Sequence, residues 1–487
     1  MTSPVLATDS PTKKPKMGSL FGDLFKSLAI SGLLIFLFYI ILFDNTTHNS
    51  LIQKWRIPIT NSTNLISSTP DPNNPMIKTN LSHLVFSIVG SMNTWKNKRH
   101  YSEAWWRPNV TRGYLFLDKP PKNEFLPWPS SAPPFRVNEK VKAIYERASN
   151  PSQVRIVRTI LEMVREGDEN VRWYVMTDDD TVLALDNLVE VLSKYDHTKY
   201  YYIGTSSECI RSNYDFSFEM AFGGAGYALS YPLASLVASK LDGCLKRYPT
   251  LRVSDFMLYS CLADLGVALT HNNGFHQIDL HGDISGLLSA HPQTPFLSLH
   301  HIDTVDPIFP NKTRLDSIKH LMKAVKVDPS RVLQQTICHH RPTNWSISIS
   351  WGYSTNIYEA TLPRSFLHRP LETFRPWRGQ RSSRSPFYMF NTRWPTNNPC
   401  ETPHVFFFHS TQESNDRIMN TYVRASSPGL APCGNHSANH IQRIRVFSPA
   451  KLPLESNGRD CCDVVYGDGE NTTEVRYRAC TKEDVTA

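Results

Sequence analysis

Apolar and polar positions follow two regimes along this chain. Between residues 82 and 328, apolar runs of strand length take turns with stretches of helical spacing. Leu84–Gly90 (LVFSIVG) is the first such run, and a helix is expected from Trp95 to Trp106. Gly113–Asp118 and Trp173–Met176 read as two more strands, separated by Val154 to Glu166, whose apolar residues recur at helical spacing. A helix from Leu185 to Tyr195 and a strand from Tyr200 to Ile203 continue the series. Strands alternating with helices of about 10–15 residues predict an α/β layer: a mostly parallel sheet flanked by helices.

After residue 328 the period changes. Trp345–Trp351 (WSISISW) alternates strictly with period two, and Val405–Phe408 is a further apolar run. A smaller β-rich unit over 329–487 follows from this. Between the two runs lie Arg364, Arg369, Arg375, Arg378, Arg381, Arg384 and Arg393, interrupted by Pro and Ser. The stretch reads as a solvated loop, with acidic glycans or lipid headgroups as alternative ligands.

A third pattern lies near the N-terminus. Ser27–Phe43 is 17 residues without a charge, most of them Leu, Ile or Phe. As a helix it would span roughly 26 Å, the short end of a membrane crossing. Lys13, Lys14 and Lys16 precede it, and no basic residue follows until Lys54. The positive-inside rule then predicts a cytosolic tail (1–26), a transmembrane signal-anchor (27–43), a stem rich in Asn, Ser, Thr and Pro (44–81), and a lumenal body. A cleaved signal peptide is the rival, and no small-residue cleavage site follows the run at once.

Composition narrows the class without naming a chemistry. With 40% hydrophobic and 20% charged residues the chain is not disordered, and 34 prolines argue against a long coiled coil. A net charge of +8 over 487 residues is too dilute to predict a nucleic-acid partner. Eight Asn-X-Ser/Thr sequons, at Asn45, Asn61, Asn80, Asn109, Asn311, Asn344, Asn435 and Asn471, all fall after the apolar run. Nine cysteines leave at least one unpaired within the chain. Cys400, Cys433, Cys461, Cys462 and Cys480 crowd the C-terminal fifth, where cystines would staple the β-rich unit. Cys338, beside His339 and His340, reads as a disulfide cysteine rather than a zinc ligand, because no second Cys/His pair is nearby.

Three segments could do chemistry. Asp178-Asp179-Asp180 closes an apolar strand. In extended chain Asp178 and Asp180 project to one side and Asp179 to the other, and two carboxylates at a strand's C-terminal end suit a hard divalent cation carrying a diphosphate. An acidic turn capping the next helix is the other reading of the same residues. Phe222-Gly223-Gly224-Ala225-Gly226 lets backbone approach a ligand closely, or is simply a tight loop, and it lacks the spacing of a dinucleotide or P-loop motif. A histidine-rich stretch (His271, His276, His281, His291, His300, His301) carries no zinc-protease spacing.

Taken in order, the motifs are specific. His83-Leu84-Val85-Phe86, Trp105-Trp106-Arg107-Pro108, Arg172 to Met176 with the Asp triplet, Tyr201 to Gly204, Phe222 to Ser230, Gly274-Phe275-His276-Gln277, Leu299-His300-His301, Ile308 to Asn311 and Trp345 to Gly352 together resemble the fringe-like β-1,3-glycosyltransferases. They are most similar to the plant fringe-related proteins grouped as domain of unknown function 604. The resemblance runs from about Ser82 to the C-terminus. It implies a GT-A-like fold for 82–328, a Golgi single-pass type II membrane protein, and transfer of a sugar from a UDP-sugar to a glycan or glycoconjugate hydroxyl with inversion.

It also implies Mn²⁺ held by Asp178, Asp180 and His276, with Asp178, Asp179, Gly223, Gly224 and Ala225 at the donor. By position Asp255 would be the catalytic base. Phe256 stands where relatives usually carry a second acidic residue, and that departure motivates an alternative, a catalytically degenerate membrane-anchored glycan-binding protein.

Overall fold

The computed structural model describes residues 78–141, 145–379, 386–414, 416–450, 460–466 and 471–481, together with Ser31 and Leu33. The predicted membrane segment and most of the stem lie outside the described residues. Among the described residues, no helix is long and apolar enough to cross a membrane.

The first part of the chain runs β1 (Leu84–Gly90), α1 (Trp95–Trp105), β2 (Arg112–Leu117), β3 (Phe135–Val137), α2 (Pro151–Arg165) and β4 (Trp173–Asp178). It continues through β5 (Val182–Leu183), α3 (Leu185–Leu192), β6 (Tyr202–Gly204), α4 (Ile210–Asp215), β7 (Tyr227–Ser230), α5 (Tyr231–Arg247), α6 (Ser254–Asp264) and β8 (Leu269–His271). Then come β9 (Leu280–Gly282), α7 (Ser285–Leu288), β10 (Ser298–Leu299) and α8 (Arg314–Val327). Seven of the strands form one sheet in the order β3-β2-β1-β4-β7-β6-β8. The pairs β3–β2, β2–β1, β1–β4 and β6–β8 are parallel, while β7 runs antiparallel to both β4 and β6. The expected mostly parallel sheet is therefore present, with one reversed strand inside it.

Every residue of β1 is buried, which explains its unbroken apolar run: a central strand covered on both faces has no polar side. The two-residue period still sorts its side chains. Leu84, Phe86 and Ile88 enter one core with Trp173 and Val175, and Val85 enters the other with Phe116, Tyr174 and Met176. The second core is closed by α2, α5 and α6, whose buried residues (Val157, Ile160, Leu241, Leu258) belong to it. The first is closed by α1, α3 and α8 and runs without a break into the C-terminal sheet, through Trp345, Ile347 and Val446.

That sheet has eight strands in the order β11-β12-β13-β15-β16-β17-β19-β18. They are β11 (Gln335–His340), β12 (Trp345–Ser350), β13 (Ser354–Tyr358), β15 (His404–Ser414), β16 (Arg417–Ser426), β17 (Arg443–Pro449), β18 (Asp460–Tyr466) and β19 (Thr472–Ala479), with helix α9 (Arg364–Leu367) and strand β14 (Phe374–Pro376) between β13 and β15. All its pairings are antiparallel except β17–β19. Its two outermost strands are cross-linked by Cys338–Cys462, so the sheet curls until its edges meet. Cys400–Cys433 and Cys461–Cys480 are the other C-terminal disulfides. A fourth, Cys244–Cys261, joins α5 to α6 far from the C-terminal cluster, and Cys209 is the free, buried thiol.

The arginine stretch is not a plain solvated loop. β14 pairs with β9, and Arg393 is buried, its guanidinium donating to the Tyr358 hydroxyl and the Arg369 carbonyl. The six sequon asparagines among the described residues (Asn80, Asn109, Asn311, Asn344, Asn435, Asn471) are all exposed.

Candidate functional site

The site forms where β4 ends. Trp105, on α1, donates its indole N–H to the Thr181 carbonyl at 2.9 Å and so fixes the turn that follows the acidic triplet. The Thr181 hydroxyl donates to the Gly224 carbonyl at 2.7 Å, and the Ala225 N–H donates to Gln277 Oε1 at 2.8 Å. The acidic turn, the glycine loop and the Gly274–Gln277 segment, distant in sequence, are thereby locked together.

The backbone of the glycine loop is closely packed on both flanks. A Cβ at Gly223 would stand 2.6 Å from Asp255 Oδ1, and one at Gly224 would stand 2.1 Å from the His300 ring. Gly223, Gly224 and Ala225 therefore lie between Asp255, in the first turn of α6, and His300, just after β10. At Gly224 a side chain would run into the His300 ring, and at Gly223 it would displace the Asp255 carboxylate.

Asp178, Asp180 and His300 converge: a ligand atom from each lies within 4.8 Å of the others. His300 Nε2 is 3.2 Å from Asp180 and 3.7 Å from Asp178. The Lys98 ammonium, from α1, is 2.6 Å from Asp180 and 3.8 Å from Asp303. Burial alone would raise the Asp180 carboxyl, but the positive charges of His300 and Lys98 outweigh it and hold the group far below the usual range. The His300 ring, which burial alone would lower, is raised to about 9 by Asp180 and Asp178. Asp179 points elsewhere, against Gly90, and burial with the neighbouring Asp180 charge pushes it up to about 8. Burial, then the Asp178 charge, raises Asp255 to about 7.

His276 does not join this group, which corrects the ligand expected from sequence. Its Nδ1 lies 3.2 Å from Glu208 and its Nε2 lies 2.9 Å from His291 Nε2. His291 Nδ1, 2.8 Å from the Pro292 carbonyl, must donate there, so its Nε2 accepts from His276 and both His276 nitrogens are engaged. His300 takes the position instead because β10 pairs with β5, which sets Leu299 opposite Val182, two residues past Asp180. That two-residue pairing leaves no periodic signal in the sequence. Lys98 was also missed, and its place on the face of α1 toward the triplet depends on packing that the sequence does not show.

The donor set fits a hard divalent cation: two carboxylates and an imidazole within reach of one another, with an ammonium already satisfying part of their charge.

Comparisons with known proteins give a family and partial relatives. A family described as "Protein of unknown function, DUF604" matches residues 212–462, just over half of the chain. The Beta-1,3-N-acetylglucosaminyltransferase lunatic fringe of Gallus gallus is 29% identical over 189 residues, which are 36% of this chain and 49% of that protein. Its Xenopus laevis counterpart is 27% identical over 213 residues, 41% of this chain and 54% of that protein. The chain thus spans about half the length of the curated relatives it matches. Among solved structures, a glycosyltransferase involved in glycosylation of the major capsid of PBCV-1 matches 48% of this chain and 98% of its own, at 10% identity and a TM-score of 0.26. Mouse xyloside xylosyltransferase 1 matches 42% of this chain and 85% of its own, at 10% identity and a TM-score of 0.24. Overlaps that shallow carry no argument, and the fold stands on its own sheet order.

Proposed function

The chain belongs to the DUF604 family of proteins of unknown function, and from that premise we propose that it is a glycosyltransferase of the fringe-like kind. It would move a sugar from a UDP-sugar donor to a hydroxyl of a glycan or glycoconjugate. The observation that carries the reading is the meeting of Asp178, Asp180 and His300 with Asp255 across the Gly223–Gly224 backbone. A cation-binding face and a carboxylate base on opposite flanks of a side-chain-free loop are what sugar transfer from a nucleotide diphosphate requires.

Asp178, Asp180 and His300 would hold Mn²⁺ or a similar ion. When bound, that ion supplies Lewis-acid neutralisation of the charge developing on the departing diphosphate. The protein's own groups do the rest. Lys98, seated between Asp180 and Asp303, brings an ammonium to the same place. The absence of side chains at Gly223 and Gly224 lets Asp255 and His300 close on the same stretch of loop backbone. Asp255, with a carboxyl raised to about 7, would remove the proton from the acceptor hydroxyl as it attacks the anomeric carbon, inverting its configuration.

The apolar run Ser27–Phe43 with Lys13, Lys14 and Lys16 before it supports a single-pass type II protein with this body in the Golgi lumen. The exposed sequon asparagines and four disulfides favour the same compartment.

The test is UDP release from a panel of UDP-sugars with Mn²⁺, comparing wild type with Asp180→Ala. Turnover present in the wild type and absent in the variant is expected. Equal turnover in both overturns the reading.

A further inference from the structure

Phe256 is the residue that follows the candidate base, and its ring does not pack into the core. It lies 6.1 Å from Phe216 and 6.0 Å from Tyr259, nearly parallel to the latter, and all three are only partly buried. Phe256 and Tyr259 are three apart on α6 and so share one side of the helix, while Phe216 follows directly after α4. The row begins one residue from Asp255.

A second aromatic group borders the opposite flank. Pairing of β14 with β9 brings the arginine stretch back to the site, and Trp377 stacks on His301 (centroids 4.8 Å apart, rings 3° from parallel) and on His281 (4.6 Å, 18°). His301 in turn lies 3.8 Å, ring to ring, from His300. The next residue, Arg378, joins the two groups: its guanidinium sits 5.8 Å over Phe216 and pairs with Asp215 at 3.0 Å. Two aromatic groups, His300–His301–Trp377 and Phe216–Phe256–Tyr259, linked through Arg378, thus form a rim that reaches Phe256, next to Asp255 in sequence.

We propose that this rim is the acceptor subsite, with Phe256 as the contact residue for the C–H face of a neutral pyranose ring. The inference rests on the glycosyltransferase reading above and names the acceptor class for it. Flat rings with electron-rich faces suit the polarised C–H bonds of a sugar and tolerate its hydroxyls at their edges. Arg378 shares the Asp215 carboxylate with Arg211 (3.0 and 2.8 Å), and His300 faces Asp180 and Asp178, so the cations along the rim already face carboxylates. The adjoining carboxylate of Asp255 disfavours an anionic sugar further.

The probes are methyl β-D-glucopyranoside, methyl β-D-galactopyranoside and methyl β-D-glucuronide, offered to the detergent-solubilised full chain with UDP and Mn²⁺. Saturation-transfer NMR reads their ring protons, and UDP protection against thermal unfolding is read on the same samples. Saturation is expected for the neutral glycosides and not for the glucuronide. Phe256→Ala should weaken the neutral glycosides roughly tenfold and Phe256→Tyr should retain them, a ring contact being worth about one decade. UDP protection should be equal in all three proteins. Phe256→Leu replaces the alanine variant if that one melts early.

No saturation by either neutral glycoside, equal saturation after loss of the ring, or preference for the glucuronide overturns the subsite. Absence of UDP protection in the wild type, with glycoside binding that still depends on Phe256, would instead remove the transferase reading and leave the rim as a glycan-binding surface.

Discussion

The His300 imidazole rests on the backbone of Gly224, so closely that a methyl group there would sit 2.1 Å from its Cε1. His300 has no space to retreat into, being fully enclosed and held toward Asp180 at 3.2 Å. Gly224→Ala should therefore push the ring off the Asp178–Asp180 pair and abolish metal-dependent UDP release, while the protein stays folded. Gly243, exposed in α5 with nothing within 4 Å of its missing Cβ, is the control. Gly243→Ala should stabilise the chain by about 0.5–1 kcal/mol and leave turnover alone. Circular-dichroism melts and the UDP assay on both variants check the contrast.

The two histidines separate by the same logic. His300→Ala should remove the thermal shift that Mn²⁺ gives the wild type, since it deletes one of the three converging ligands. His276→Ala should keep that shift at a lower overall melting temperature, because it leaves Glu208 and His291 without their partner. Loss of the metal response in the His276 variant alone would reverse the assignment.

Asp255→Asn keeps the shape of the carboxyl and removes its basicity. Turnover should fall by about 10²–10⁴-fold, the usual worth of a general base, with UDP affinity unchanged. Single-turnover kinetics with a separate UDP titration distinguish this from a binding defect.

How much of this could be read beforehand differs by element. The run Leu84–Gly90 is a strand with those bounds, because a centrally buried strand carries its burial in every residue. Val154 to Glu166 was close to α2 (Pro151–Arg165), whose apolar residues face a single core. The reversed β7 was not legible, since an apolar four-residue strand encodes no direction. Asp178 and Asp180 converge on His300, and Gly223 and Gly224 pack against Asp255 and His300, a juxtaposition that the resemblance rather than local spacing pointed to. His300 was visible as a histidine but not as the third member of the group, because its place depends on the short β5–β10 pairing rather than on local spacing. Trp377 was hidden inside a stretch whose charges suggested solvent, and only the β9–β14 pairing reveals where it goes.

The disulfides should differ in worth. Cys338–Cys462 closes a loop with a sequence separation of 124 and joins the two edges of the C-terminal sheet, whereas Cys244–Cys261 spans only 17. Loop-closure entropy favours the longer by roughly 5 to 3 kcal/mol. Replacing both cysteines of the long pair by Ala should cost more stability in urea unfolding than replacing both of the short pair. The reverse order would mean that the sheet edges hold together without the crosslink.

Acid should loosen the C-terminal sheet through Glu359. This buried carboxylate accepts from the Ala438 N–H at 2.7 Å, the Cys433 N–H at 2.8 Å and the Ser437 hydroxyl at 3.0 Å, and lies 3.0 Å from His404 Nε2. Arg424 donates to His404 Nδ1 at 3.0 Å, so the Nε2 of that ring carries the proton given to Glu359. Burial alone would raise Glu359, but these donors, His404 first, bring it down from 4.5 to about 2. A carboxyl lower in the folded than in the unfolded chain contributes stability that is complete above pH 4.5 and is lost as pH falls through about 2. The contribution at neutral pH is about 3 kcal/mol. Glu359→Gln should destabilise the protein near pH 7 and should lose less on acidification between pH 4.5 and 2 than the wild type does. Urea unfolding of both proteins across that window measures the difference, which cancels the other carboxylates common to the two; parallel curves would show that the cluster keeps its bonds with Glu359 protonated.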